Sequence, residues 1–410
     1  MVSVQGATLA GMAAAARLAR LGHPVTVHTC GEPLGGRWAP AGDAESSLPP
    51  LIILPAAWRD LFKKTGRALD PELARRGLRF APAPPVRHLF DDGTSLDLPS
   101  ERGAQFYALA ERYGTSVAER WRDLLDGADD AWTAARRFGV ESPASPASPA
   151  HRRSLWLDRT LADLADRVDE PHLARILLDL RFPAGTASTA APGLLATRLA
   201  VERQFGRWQL VDGDGHARPS SLLLELLIER LSARGVQIVD EPAESPDIDC
   251  LPHRPRTAWW RLRVPLAQAP LIGYAALDPA SSVDSLHHET SQTIDHTSSQ
   301  VVISWRVPHP DGARQLTWDY RSTRRDLAWG LEPRRAREIL ARPAIDDHGS
   351  LRASVCSPAG PEPWAELSSA ALAVYELHER LTGQDCRPTN RDFRLPPVPR
   401  PRRALGASEK

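Results

Sequence analysis

Val2-Ser3-Val4-Gln5-Gly6-Ala7-Thr8-Leu9-Ala10-Gly11 opens the chain, and an alanine-rich run from Met12 to Leu21 follows it up to Gly22. The first four residues predict a short strand, the glycine-spaced stretch a tight turn, and the alanine run a helix. Val25-Thr26-Val27 predicts a second strand, with Leu34-Gly35-Gly36-Arg37 in the loop beyond it. This is the order of a dinucleotide-binding unit. In such a unit the first glycine permits the sharp turn and the third lets the helix pack closely on the strand. Gly6 and Gly11 supply both. The middle glycine keeps a Cβ away from the pyrophosphate at the helix N-terminus, and Thr8 stands there instead. An acid normally ends the second strand and accepts from the ribose hydroxyls; here the residue is Thr29. A hydrogen bond to a charged group is worth about 1.5–3 kcal/mol, so each loss weakens a cofactor contact by roughly tenfold to a hundredfold.

With 410 residues, 42% of them hydrophobic and 25% charged, the chain has room for two or three domains with substantial cores. Its formal net charge is zero, which gives no case for a nucleic-acid partner or an anionic membrane. Lysine occurs only at Lys63, Lys64 and Lys410. In so arginine-rich a chain, pairs such as Arg324-Arg325 read as solvated surface. Cys30, Cys250, Cys356 and Cys386 show neither CxxC nor zinc spacing, which points to a reducing compartment and no metal site. No signal segment precedes the first strand and no apolar run reaches membrane-spanning length. The expected location is cytoplasmic, with peripheral membrane contact through Leu51-Ile52-Ile53-Leu54 and the oligomeric state both left open.

Further along, Arg79 to Leu98 carries a hairpin signal around Asp91-Asp92-Gly93, and Arg102 to Phe138 reads as one helix. A Ser-Pro-Ala repeat spans Ser142 to Ala150. Leu155–Leu180 and Leu194–Phe205 read as helical, as does Leu222 to Arg234, which precedes the strand Val236-Gln237-Ile238-Val239. Arg256–Pro265, Gln300–Val307 and Gln315–Tyr320 read as strands, and Glu362–Leu381 as the last long helix. The expected fold class is α/β. A discontinuous Rossmann-like nucleotide domain comprises 1-50, 190-262 and 348-386, with a mainly helical insertion at 51-189. A smaller β-rich substrate-type segment covers 263-347, and a Pro/Arg-rich tail runs over 387-410.

Several segments together resemble the phytoene desaturase branch of the FAD-dependent oxidoreductases, relatives of the flavin amine oxidases. They are the opening turn and helix, Gly22-His23-Pro24-Val25-Thr26-Val27, Leu34-Gly35-Gly36-Arg37-Trp38 and Leu54-Pro55-Ala56-Ala57-Trp58. Phe205-Gly206-Arg207-Trp208, and Ser357-Pro358-Ala359-Gly360-Pro361 ahead of the last helix, extend the likeness. The resemblance implies hydride transfer from a small hydrophobic, isoprenoid-class substrate to FAD. It also implies cofactor contacts at Gly6, Ala7, Thr8, Ala10, Gly11, Thr29, Gly35, Gly36, Arg37 and Gly360. The chain departs from the family pattern at Thr8 and Thr29, at Ser47-Leu48-Pro49 and at Asp212-Gly213-Asp214-Gly215-His216. Glu362 and Glu366 fall in the first turn of the last helix, where carboxylates satisfy the dipole and repel phosphate. Glu362 is the residue expected to fill that anion site.

Three readings stay open from sequence: an active flavin-dependent desaturase or dehydrogenase, a cofactor-poor relative kept as a binding or partner protein, and a small-molecule enzyme of another class. No catalytic residue is singled out. His287-His288-Glu289 alternates across a strand and reads as polar surface. Asp212-Gly213-Asp214-Gly215 reads as a turn without the distal glutamate of a calcium loop. Cys250 reads as inert packing, and Trp305, Trp318 and Trp329 as core before pocket lining.

Overall fold

Val2–Gln5 lies inside a parallel sheet, with Val25–His28 on one side and Ile248–Asp249 on the other. Gln237–Val239 extends the sheet beyond Val25–His28, Leu351–Arg352 extends it beyond Ile248–Asp249, and the antiparallel strand Ala344–Ile345 ends it. The computed structural model describes residues 1–40, 47–137, 148–252, 266–277, 288–309, 312–331, 344–345, 349–353 and 362–387. The alanine run forms the helix Leu9–Arg20, and Ala13 to Ala16 are fully buried in it. Side chains this small let the helix sit tight against the helices Leu222–Ala233 and Pro363–Thr382. Gly6 adopts φ +93°, and a Cβ at Gly11 would collide with the Gly6 carbonyl oxygen. Both glycines are thus required by the turn and by helix-on-strand packing.

A second sheet runs in the order Leu266–Leu277, Gly312–Leu331, Val302–His309, Ser291–Asp295, Val86–Leu89, Ser95–Leu98. Its first strands are antiparallel, whereas Ser291–Asp295 pairs in parallel with Val86–Leu89. The expected hairpin around Asp91-Asp92-Gly93 is formed by the last two strands. A small sheet of Ile52–Ile53, Arg207–Val211, Arg79–Pro82 and Ala217–Arg218 joins the two halves.

The helices Arg102–Tyr113, Thr115–Arg136, Leu161–Val168, Pro171–Asp179 and Thr197–Phe205 enclose a separate apolar core around Trp121. The single helix expected over 102–138 is broken at Gly114, whose φ of +90° ends one helix and starts the next. The helix expected over 155–180 is likewise two helices. Asp169 adopts a left-handed conformation and Pro171 starts the second one. Arg256–Pro265, the motif with Gly360, and the tail from residue 388 onward lie outside the described residues.

Candidate functional site

Thr8 caps the first helix. Its Oγ1 accepts from the Gly11 backbone N–H at 3.2 Å and donates to the Cys250 carbonyl at 3.2 Å. One of the N–H groups that would face a phosphate is therefore already satisfied. Above the turn, Gly35 N donates to the Ala7 carbonyl at 2.8 Å, and a Cβ at Gly36 would meet Thr8 at 3.1 Å. The Gly-Gly-Arg loop thus lies directly on the threonine.

Arg37 points from that loop onto Glu366, with which it forms a buried ion pair. Trp38 Nε1 donates to the same carboxylate oxygen at 2.8 Å, and the Ala10 backbone N–H at the start of the first helix also interacts with it. Glu366 is 1% exposed. Burial pushes its carboxyl up, and Arg37, Trp38 and Ala10 oppose that shift. The carboxylate occupies the place a bound anion would take, between a helix N-terminus and a guanidinium. Glu362 does not fill this site as expected. It pairs instead with Arg198 and makes no capping bond to its own helix. Glu362 is the N-cap, with extended backbone at φ −89° and ψ 129°, whereas Glu366 stands inside the helix, so the two side chains leave in different directions and reach different arginines.

At the end of the second strand, Thr29 Oγ1 donates to Asp240 Oδ1, to which Gly31 N also donates at 2.8 Å. A carboxylate is therefore present where Thr29 lacks one, supplied by the residue after the neighbouring edge strand Gln237–Val239. These bonds hold the Asp240 carboxyl below the ordinary aspartate range. Sequence reasoning missed Asp240 because the pairing of Thr26–His28 with residues 237–239 spans more than two hundred positions.

FAD, which the resemblance implies, needs those N–H donors and Arg37 for its diphosphate. With Glu366 seated and Thr8 capping, the turn offers neither free charge nor these donors. The diphosphate fits this turn only where the Glu366 carboxylate gives up its seat. Gly6, Ala7, Thr8, Ala10, Gly11, Gly35, Gly36 and Arg37 are brought together around the turn, and Thr29 lies at the strand end on the same sheet.

A cleft lies elsewhere, between the second sheet and the helical part; its empty space, counted together with the solvent at its open side, is about 730 Å³. Val86, His88, Gln292, Ile294 and Ile303 line it from the sheet, and Ile176, Asp179, Arg198 and Glu202 from the helices. In its wall, Asp179 Oδ2 contacts His296 Nδ1 at 2.7 Å, and His296 Nε2 contacts His88 Nδ1 at 2.9 Å. An Asp179 carboxylate accepts from His296 Nδ1–H, so a neutral His296 accepts at Nε2 from His88 Nδ1–H. His88 Nε2 is then left as an acceptor. Burial, then His296 and Arg207, hold His88 well below the usual histidine value. No sequence signal marked this relay, because its members stand at positions 88, 179 and 296 with no local motif.

Trp305, Trp318 and Trp329 pack together in the main core and line none of this cleft. Asp212 Oδ1 accepts from the backbone of Asp214 at 3.1 Å and His216 at 3.0 Å, which makes the acidic run a turn. Cys250 is buried beside the first turn. Among the described residues, no helix is long and apolar enough to cross a membrane.

No protein-family model matches the chain. It is 30% identical over 231 residues to the hydroxyneurosporene desaturase of Cereibacter sphaeroides, covering 52% of this chain and 44% of that protein. It is 24% identical over 216 residues to the 4,4'-diapophytoene desaturase of Staphylococcus aureus, covering 50% and 42%. The chain thus spans less than half the length of these curated relatives. Among solved structures, cyclohexylamine oxidase from Brevibacterium oxydans aligns with a TM-score of 0.57 at 13% identity, over 93% of this chain and 99% of that one. Putrescine oxidase bound to putrescine aligns with a TM-score of 0.55 at 13% identity, over 93% and 98%. At such identities the structural likeness speaks for the fold, an α/β architecture with a Rossmann-like nucleotide domain and a second, β-rich part. In sequence the chain is thus similar to carotenoid desaturases of the phytoene desaturase-like kind, and in fold to these amine oxidases.

Proposed function

We propose that this chain is a desaturase- or dehydrogenase-type oxidoreductase of the flavin-dependent kind, acting on a hydrophobic, isoprenoid-class substrate. The single observation that carries the proposal is the likeness to two carotenoid desaturases that act, by their names, on hydroxyneurosporene and 4,4'-diapophytoene. The retained frame supports it: Gly6 and Gly11 in the turn, Gly35-Gly36-Arg37 over it, and an acid at Asp240 beside the second strand. In this reading residues 1-50, 190-262 and 348-386 form the nucleotide domain, and the cleft beneath the second sheet takes the substrate's apolar body. The protein's own residues contribute an apolar bed, exclusion of water, and the Asp179–His296–His88 relay as a proton-holding group at its wall.

The seating of Glu366 favours a second reading, a cofactor-poor relative that keeps the fold for binding. Purified protein decides between them. Flavin absorbance, with FAD released on denaturation, is the result expected of the oxidoreductase. Colourless protein that gains no thermal stability from added FAD overturns that proposal and leaves the binding protein. Glu366→Gln then identifies the cause. It keeps one acceptor oxygen for Trp38 but removes the negative charge paired with Arg37, and FAD affinity by calorimetry is expected to rise roughly tenfold or more.

A further inference from the structure

Arg207 opens the strand Arg207–Val211 and is 3% exposed on the wall of the cleft. Its Nη1 donates to Gln292 Oε1 at 3.4 Å and its Nη2 to the Pro84 carbonyl at 3.2 Å, while Nε has no partner. Both acceptors are neutral. The other charged groups of the wall are ion-paired: Arg198 with Glu202 and Glu362, Arg203 with Asp126 and Asp129, Asp179 with Arg175. Among the described residues, Arg207 has no carboxylate within ion-pair distance. Taking a guanidinium out of water without a counter-charge is costly, and the cost is recovered only when an anion arrives. The guanidinium fork also matches a carboxylate's two oxygens, as an ammonium would not.

Beside this charge lie Ile176, Ile294, Val301 and Ile303, which make the cleft largely apolar. We propose that the cleft binds an apolar molecule bearing one carboxylate, with Arg207 as the counter-ion and the buried face of the second sheet holding the apolar body. A monoanion matches the one wall guanidinium that, among the described residues, has no carboxylate within ion-pair distance, and Glu202, whose charge also acts on Arg207, disfavours a second negative charge there. The site stands whether or not flavin binds, since none of its residues touches the first turn.

Dodecanoate, dodecanol and dodecyl phosphate, titrated calorimetrically into the full chain near neutral pH, test the assignment. Dodecanoate is expected to bind roughly tenfold to hundredfold more tightly than dodecanol, the span of one charged hydrogen-bonded pair. Arg207→Gln is expected to bring the two to near equality while dodecanol still binds, which shows the cleft intact. Should that variant fail to fold, Arg207→Lys keeps the charge without the fork. It is expected to weaken dodecanoate and leave dodecanol unchanged. Equal binding of acid and alcohol by the unaltered protein overturns the proposal. So does a carboxylate preference that survives Arg207→Gln, or one that is undiminished in Arg207→Lys. Dodecyl phosphate as the tightest ligand overturns the carboxylate as the head group.

Discussion

Glu366 and Arg37 stand 329 positions apart in sequence and share one buried ion pair. Removing one partner of such a pair leaves the other charge buried without that counter-ion, at about 3–5 kcal/mol. Glu366→Ala should therefore lower stability by that order in urea unfolding, and added FAD should restore part of it if the vacated space admits a diphosphate. His88 gives a pH test. Its folded value lies below its unfolded one, so protons bind preferentially to the unfolded chain as pH falls through about 6.5. The stability it contributes is present above that value and is lost on acidification. Between neutral pH and about pH 5 the loss amounts to at most about 2 kcal/mol. Urea midpoints should fall less over this interval in His88→Phe than in the parent; equal slopes would show that His88 is not the group responsible.

At the scale of elements, the first helix is fixed by what it cannot accommodate. Gly11→Ala places a methyl against the Gly6 carbonyl and should cost about 3 kcal/mol or more by overpacking. Gly22→Ala meets no atom within 4 Å and bears only the strain of φ +93°, about 1–2 kcal/mol. Thermal unfolding of the two variants should rank them in that order. This part of the fold was legible because strand, turn and helix are consecutive and each glycine answers a local need. The hairpin at Asp91-Asp92-Gly93 was legible for the same reason. The parallel pairing of Val86–Leu89 with Ser291–Asp295 was not, since neither segment carries a mark of its partner. The last helix was half legible. Two acids in its first turn signalled a filled anion site, but which one fills it depends on how that helix crosses the first. That crossing sends Glu366 to Arg37 and Glu362 to Arg198.

Over the whole molecule, aromatic packing ties the second sheet to the nucleotide-type half. Trp318 contacts Trp305 at 5.0 Å and Trp329 at 4.9 Å between ring centroids, and lies 6.4 Å from Trp38, whose indole N–H holds Glu366. Trp318→Ala should cost about 3–5 kcal/mol. Because these rings belong to one continuous core, calorimetry should show the main transition shifted as a unit. An unchanged transition with a second one split off would mean that the halves fold separately. The cleft and the nucleotide-type turn thus share a scaffold while differing in chemistry: one is self-neutralised and the other carries an open charge.

A protein that depends on a tightly held nucleotide gains stability from ligand binding, and loses it when the ligand runs short. In this chain the carboxylate of Glu366 supplies such an anion from within, at an effective concentration set by the fold rather than by the supply of any metabolite. While that carboxylate keeps its seat, the turn holds its shape whether or not a nucleotide arrives. Folded protein made with and without riboflavin in the growth medium reads this directly: equal amounts mean that Glu366 alone keeps the turn in shape, and a fall without riboflavin means that FAD takes its seat.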